Sequence, residues 1–267
     1  DNGKIIQEFN FQGFANDVCF SSASDMLACC SSDGMVKFFS LPSYALIREV
    51  KAHDSPVSDV CFSHDMQWFS TSGMDGKLKI WSLKKFELMH EMNAHNFLVY
   101  DAEFSTDDRY IATCGTDKTV KLWDVKTGSI IRYYTGHIHK LSGVDVCENT
   151  GILMAGHWDQ MQFDANRAVF WDMGNGALES TTEPHAFLLN AVAINGDGTK
   201  AMSIGEDNSL KFWSTPDAKL LGVFSAAGTG YRDAAFYPDG NHVAVSCSDG
   251  RVLMLAINDL GSFSALK

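Results

Sequence analysis

Long apolar runs are missing from this chain. The longest, Val252 to Ile257, falls far short of the roughly 20 residues that a membrane-crossing helix needs, so no membrane insertion is expected. The opening residues, Asp1-Asn2-Gly3-Lys4, do not form the apolar stretch of a secretory leader. No initiator Met is present, and the chain is expected to be a piece of a longer protein. Basic charge is scarce: 21 Lys and Arg face 33 Asp and Glu, the formal net charge is −12, and no basic run occurs. Proteins that grip nucleic acid neutralise phosphates with clustered Lys and Arg, so direct nucleic-acid contact is not expected. There is no Asn-x-Ser/Thr glycosylation site, and the seven cysteines are an odd number that cannot all pair within one chain. Several of them adjoin apolar strand anchors, as Cys19 and Cys61 do, so reduced, buried, space-filling cysteines are expected. These features point to an intracellular protein, cytoplasmic rather than nuclear. No Cys-x-x-Cys or His-Glu-x-x-His pattern suggests zinc. No Gly-rich phosphate loop follows a strand, and no cofactor is implied.

What is present is a repeat. Histidine dipeptides occur at Ala52-His53, Ala94-His95, Gly136-His137 and Pro184-His185, with histidine spacings of 42, 42 and 48. Bulky residues ending a strand recur at Phe39, Trp81, Trp123, Trp171, Trp213 and Leu255, spaced 42, 42, 48, 42 and 42. Early-strand anchors recur at Phe20, Phe62, Phe104, Val146, Ile194 and Phe236, spaced 42, 42, 42, 48 and 42. Three independent series share one period and place a six-residue insertion in the fourth repeat.

Each repeat reads as four strands. In the second, Val60-Cys61-Phe62 opens a strand, Ser63-His64-Asp65 turns, and Gln67 to Thr71 forms the next strand. After a tight turn at Asp75-Gly76, Lys77-Leu78-Lys79-Ile80-Trp81 alternates charged and apolar residues with period two, the mark of a half-buried strand. A more polar strand over Glu87 to Glu91 follows, as suits an outer edge. With 45% hydrophobic residues the chain can bury a substantial core, and no long amphipathic helix suggests itself.

The histidine dipeptides, the turn Asp and the pairs Trp123-Asp124 and Trp171-Asp172, with the variants Trp81-Ser82 and Trp213-Ser214, resemble the WD40 family over essentially the whole chain. The resemblance implies an all-β, six-bladed β-propeller over residues 1–267, with further blades or a second propeller outside this chain as the structural alternative. Lys4–Phe9 is expected to complete the last blade and close the ring, because closure removes exposed strand edges. The resemblance also implies one hydrogen-bonded set of four residues per repeat: His53, Thr71, Asp75 and Trp81 in the second, His95, Thr113, Asp117 and Trp123 in the third, His185, Ser203, Asp207 and Trp213 in the fifth. The first repeat has Cys29 and Phe39 in the Thr and Trp places, with Asp33 in its turn. The sixth has Val245 and Leu255, with Asp249 in its turn. The fourth has Ala155, and its insertion obscures the role of Asp159. These blades are expected to rely on packing.

Ser, His and Asp recur at the same spacing in three repeats, which favours a structural role over a hydrolytic triad. No catalytic residue is assigned. His137, His139 and His157 are not read as a metal site, since His137 is accounted for by the repeat. The function expected from the resemblance is that of a non-catalytic scaffold binding other proteins or peptides within a complex. The alternative is a substrate-recognition module of a larger enzyme such as a ubiquitin ligase. In the family the binding face is the one bearing the tight turns. Two positions per repeat point there: the residue before the turn Asp (Ser32, Met74, Thr116, Trp158, Glu206, Ser248) and the residue five after the His place (Asn16, Ser58, Tyr100, Ser142, Asn190, Arg232). Tyr, Trp and Arg are enriched in interaction hot spots. Tyr100, Trp158, Phe163 and Arg232, with Asn190 and Met74, are therefore the candidate binding residues. The competing reading is that Trp158 and Phe163 merely cover a fourth blade that lacks its Thr.

Overall fold

The alternating segment Lys77–Ser82 is a strand that buries Leu78, Ile80 and Trp81 and leaves its two lysines half-buried. The same pattern gives Met35–Ser40, which buries Val36, Phe38 and Phe39. The computed structural model describes residues 7–135, 140–158, 166–225, 230–237, 239–257 and 263–265. Among these there is no helix, and 24 strands form six four-stranded sheets over residues 15–51, 57–93, 99–134, 140–181, 189–224 and 231–265. Within each sheet the strands lie in chain order. The architecture is that of a six-bladed β-propeller. The chain divides into two compact units, 1–102 and 103–267.

In the first unit the third strand of one sheet packs on the inner strand of the next. Val36 and Phe38 lie against Val57, Val60, Phe62 and Phe69, and the Phe38 ring meets Phe69 edge-on at 4.8 Å. Burying a phenyl group of this kind is worth about 1.5–3 kcal/mol. The second unit repeats the scheme: Met154 and Phe170 pack with Leu189 and Ile194, and Ile204 and Phe212 pack with Tyr231, Val243 and Val245.

One strand departs from it. Strand β1 (Ala15–Phe20) and strand β5 (Val57–Phe62) lead into the same pentapeptide, Asp-Val-Cys-Phe-Ser. Val60 and Phe62 of β5 are 1% and 5% exposed, whereas Val18 and Phe20 of β1 are 54% and 60% exposed. In the second unit Val252, in the strand Val252–Ile257, is likewise open, while its counterparts Ala168 and Leu210 are fully buried.

The last sheet corrects one expectation. Its fourth strand is Phe263–Ala265, paired antiparallel with the third strand as Leu255 with Ala265 and Ile257 with Phe263. Among the described residues, no part of Lys4–Phe9 pairs with it. Residues 4–6 lie outside the described residues, and the Phe9 ring packs tilted against Phe39 of the first sheet with ring centroids 3.9 Å apart. The free edge of the third strand is satisfied by the chain that follows it, because a short loop costs less closure entropy than recruiting the far end of the chain.

Candidate functional site

The polar sets of the second and fifth sheets form where the spacing places them. In the second sheet the Trp81 indole N–H donates to Thr71 Oγ1 at 3.0 Å, and that hydroxyl lies 3.0 Å from His53 Nε2. His53 Nδ1 lies 3.0 Å from Asp75 Oδ2. The fifth sheet repeats this, with Trp213 to Ser203 at 2.9 Å, Ser203 to His185 at 2.8 Å and His185 to Asp207 at 3.1 Å. In the third, Trp123 donates to Thr113 at 3.0 Å, and Asp117 accepts from Thr119 at 2.7 Å and pairs with Lys121 at 3.2 Å. His95, in the first unit, is buried, and its backbone N–H donates to Gly76.

Burial pushes His53 and His185 below the ordinary histidine value, so both are neutral near pH 7, against the opposing pull of their aspartates. The neutral ring carries its proton on Nδ1, donates to the carboxylate and accepts the hydroxyl at Nε2. Burial alone would raise Asp207, but hydrogen bonds from His185 and Ser209 outweigh it and hold the carboxyl well below the usual range. The arrangement resembles a hydrolytic triad in composition only. Thr71 and Ser203 are fully buried and already engaged by an indole, so no substrate reaches either hydroxyl. The first sheet replaces the set with apolar contacts. Phe11 stands in the His place, and Leu27, Cys29 and Phe39 pack together with Phe9 and Phe11 against them. Val245 and Leu255 of the sixth sheet are fully buried. The fourth keeps Trp171 buried against Tyr134, ring centroids 6.0 Å apart.

Above each set is the tight turn. Gly76 has φ +77°, and a Cβ there would lie 2.2 Å from the His95 carbonyl oxygen and 2.4 Å from that of Phe97, so only glycine lets the turn sit against the loop before β9 (Val99–Phe104). Met74, exposed at this turn, is tied down by its backbone N–H to Pro56 at 3.0 Å. Tyr100 is half-buried on β9. Met74 and Tyr100 thus belong to the first unit, and Asn190 and Arg232 to the second.

The position five residues after the His place has a structural explanation that the sequence did not reveal. Asn16, Ser58, Ser142, Asn190 and Arg232 all fall at a break in register between the first and second strands of their sheets. Such a bulge re-aims its extra side chain. Asn16 donates to Val57 at 2.6 Å, Ser58 to Val99 at 2.6 Å and Asn190 to Tyr231 at 3.0 Å, each reaching the inner strand of the next sheet. The Asn190 amide is therefore engaged in holding two sheets together. Arg232 breaks this pattern: it is exposed and reaches Glu206 at 3.8 Å.

Trp158 ends the strand Ile152–Trp158 opposite Lys140. Phe163, Met161 and Asp159 lie outside the described residues, as do His137 and His139. His157 is buried, its backbone N–H donating to Arg167. Among the described residues no group of three or more His, Cys, Asp or Glu is placed to hold a metal. The sequence reading passed over two phenylalanines that stand two residues after a buried tetrad histidine. Phe97 is 73% exposed in the first unit and Phe187 is 52% exposed in the second. Their shared place in the repeat was the available signal.

The family model described as WD domain, G-beta repeat matches residues 3–40, 44–82, 86–124 and 218–254, more than half of the chain. The chain belongs to the WD40 family. The unmatched stretch, 125–217, holds the fourth and fifth repeats, including the insertion, yet its sheets have the same strand order as the rest. Autophagy-related protein 16 of Arabidopsis thaliana is 25% identical over 101 residues, which is 36% of this WD40 chain and 20% of that protein. The match thus spans about a fifth of that relative's length. A solved structure titled "Structure of U3-55K" superposes with a TM-score of 0.86 at 14% identity, covering 97% of this chain and 82% of that one. At that identity the likeness shows the fold alone.

Proposed function

We propose that this WD40 chain is a non-catalytic scaffold that binds other proteins as a subunit of a larger assembly. The observation that carries the reading is the pair of open phenyl rings, Phe97 and Phe187, at one repeat position beside the tight turns. Phe97 is 73% and Phe187 52% exposed, and an exposed aromatic on an ordered base is the side chain that anchors protein interfaces. The set below Phe187 has its donors and acceptors matched, and the Gly76 turn beside Phe97 belongs to the second sheet, whose set is matched as well. Met74 adds apolar surface near Phe97, since the Gly76 turn lies against the Phe97 carbonyl. The alternative of a reader of phosphorylated motifs draws little support from Arg232, whose guanidinium already faces Glu206.

The test is a double variant, Phe97→Ser with Phe187→Ser, used as bait in cell extract beside the parent chain. The expected result is an unchanged melting temperature and the loss of co-purifying proteins identified by mass spectrometry. Retention of the full partner set by a folded double variant overturns the reading.

A further inference from the structure

The two Asp-Val-Cys-Phe-Ser segments place Cys19 and Cys61 at the same register of neighbouring inner strands. Two inter-sheet hydrogen bonds tie β1 to β5 just before them: Asn16 Nδ2 to the Val57 carbonyl at 2.6 Å, and the Val60 N–H to Asp17 Oδ2 at 3.2 Å. The Cys19 thiol donates to the Phe20 carbonyl at 3.6 Å and the Cys61 thiol to the Phe62 carbonyl at 3.5 Å, and the two side chains lie within hydrogen-bonding reach of each other. We propose that Cys19 and Cys61 are a redox modification site, a dithiol that hydrogen peroxide converts to a disulfide linking the first and second sheets.

The two cysteines are suited to different halves of this reaction. Cys19 is half-buried, while Cys61 and the other five cysteines are buried. Cys19 packs at the margin of the apolar cluster between the first and second sheets rather than inside it. The hydrogen bond from Cys61 holds the Cys19 thiol below its ordinary value, outweighing the upward push of burial and of the Asp17 carboxylate. Burial pushes Cys29 up to about 11 and raises Cys30 as well. Burial also raises Asp17, against hydrogen bonds from the Val18 and Val60 backbone and from Asp59. The nucleophile in such chemistry is the thiolate, and Cys19 is the cysteine that combines this shift with solvent access.

The electrons balance in two steps. The Cys19 thiolate attacks one peroxide oxygen; the S–O bond forms, the O–O bond breaks, and hydroxide leaves and takes up a proton as water. Cys61 then loses its proton and its sulfur attacks the Cys19 sulfur; the S–S bond forms, the S–O bond breaks and a second water leaves. Two thiols are oxidised and one peroxide is reduced. A dithiol reductant reverses the change by exchange.

Peroxide treatment of the whole chain tests this. Excess peroxide is destroyed with catalase, free thiols are alkylated under denaturing conditions, and peptides are mapped by mass spectrometry without reduction. The expected result is an intramolecular pair of peptides joined through Cys19 and Cys61, abolished by dithiothreitol. In folded Cys61→Ser the Cys19 sulfenic acid persists and is trapped by dimedone far more than in the parent. Three results overturn the proposal: both cysteines still alkylated at peroxide doses that oxidise methionine, Cys30 or a second copy of the chain as the partner of Cys19, or Cys19 driven to the sulfinic acid while Cys61 stays free. The parent mapping stands whether or not the serine variant folds.

Discussion

One pentapeptide occupies two places in the first unit. In the second sheet its Val60 and Phe62 are sealed beneath Val36 and Phe38 of the sheet before, while in the first sheet Val18 and Phe20 stand open. Local sequence is the same, so propensity and pattern are the same, and the difference lies wholly in what packs against the strand. Apolar residues on an inner strand stabilise this fold only as half of an inter-sheet contact.

The sharpest way to test that contrast is truncation. Phe62→Ala is expected to cost about 3–5 kcal/mol through lost burial and an unfilled cavity, and Phe20→Ala about 0.5 kcal/mol, as for a surface site. Denaturant midpoints of the two variants decide it, and equal losses would mean that Phe20 is covered in solution. The next largest contrast lies between the polar set and its apolar substitute. Thr71→Val leaves the Trp81 indole and His53 Nε2 without their shared hydroxyl and is expected to cost about 1–3 kcal/mol. Cys29→Val at the same place in the first sheet changes only packing and is expected to cost less than about 1.5 kcal/mol.

A pH series separates the two kinds of sheet further. His53 and His185 lie below the ordinary histidine value of 6.5 when folded, so the unfolded chain binds more protons around that value and stability falls as pH drops through 6.5 toward the folded values. The melting temperature is expected to be flat well above pH 6.5 and to decline as pH falls through it. Replacing His53 with Phe, the residue that the first sheet carries there, flattens part of that decline even if it lowers the plateau. The smallest effect is expected at the turn edge, where Met74→Ala changes stability by about 0.5 kcal/mol or less and, on the proposed function, weakens partner capture in the same pull-down that tests Phe97 and Phe187.

Much of the architecture was legible before any coordinates. The period of 42, the alternating third strands and the His, Thr or Ser, Asp and Trp spacing could be read directly, because each depends on residues within one repeat. The candidate site was less legible. Asn190 has the look of an exposed polar residue, but a bulge turns its amide toward the Tyr231 carbonyl of the next sheet. Phe97 and Phe187 were not singled out by the sequence, yet they stand open on loops at one repeat position. Both have one cause: a side chain's direction at a bulge or loop depends on the neighbouring repeat, which is 41 or more residues away.

The sequence by itself determined that this protein is a chain of six four-stranded repeats with buried hydrogen-bonded sets in some and apolar substitutes in others. Strand alternation, turn glycines and hydrogen-bond inventories are local chemistry. Only the tertiary structure decided that Phe263–Ala265 completes the last sheet, that one Val-Cys-Phe face is closed and its twin open, and that Cys19 meets Cys61. Those outcomes depend on which surfaces touch, and identical residues have different energies according to whether another sheet displaces the water from them.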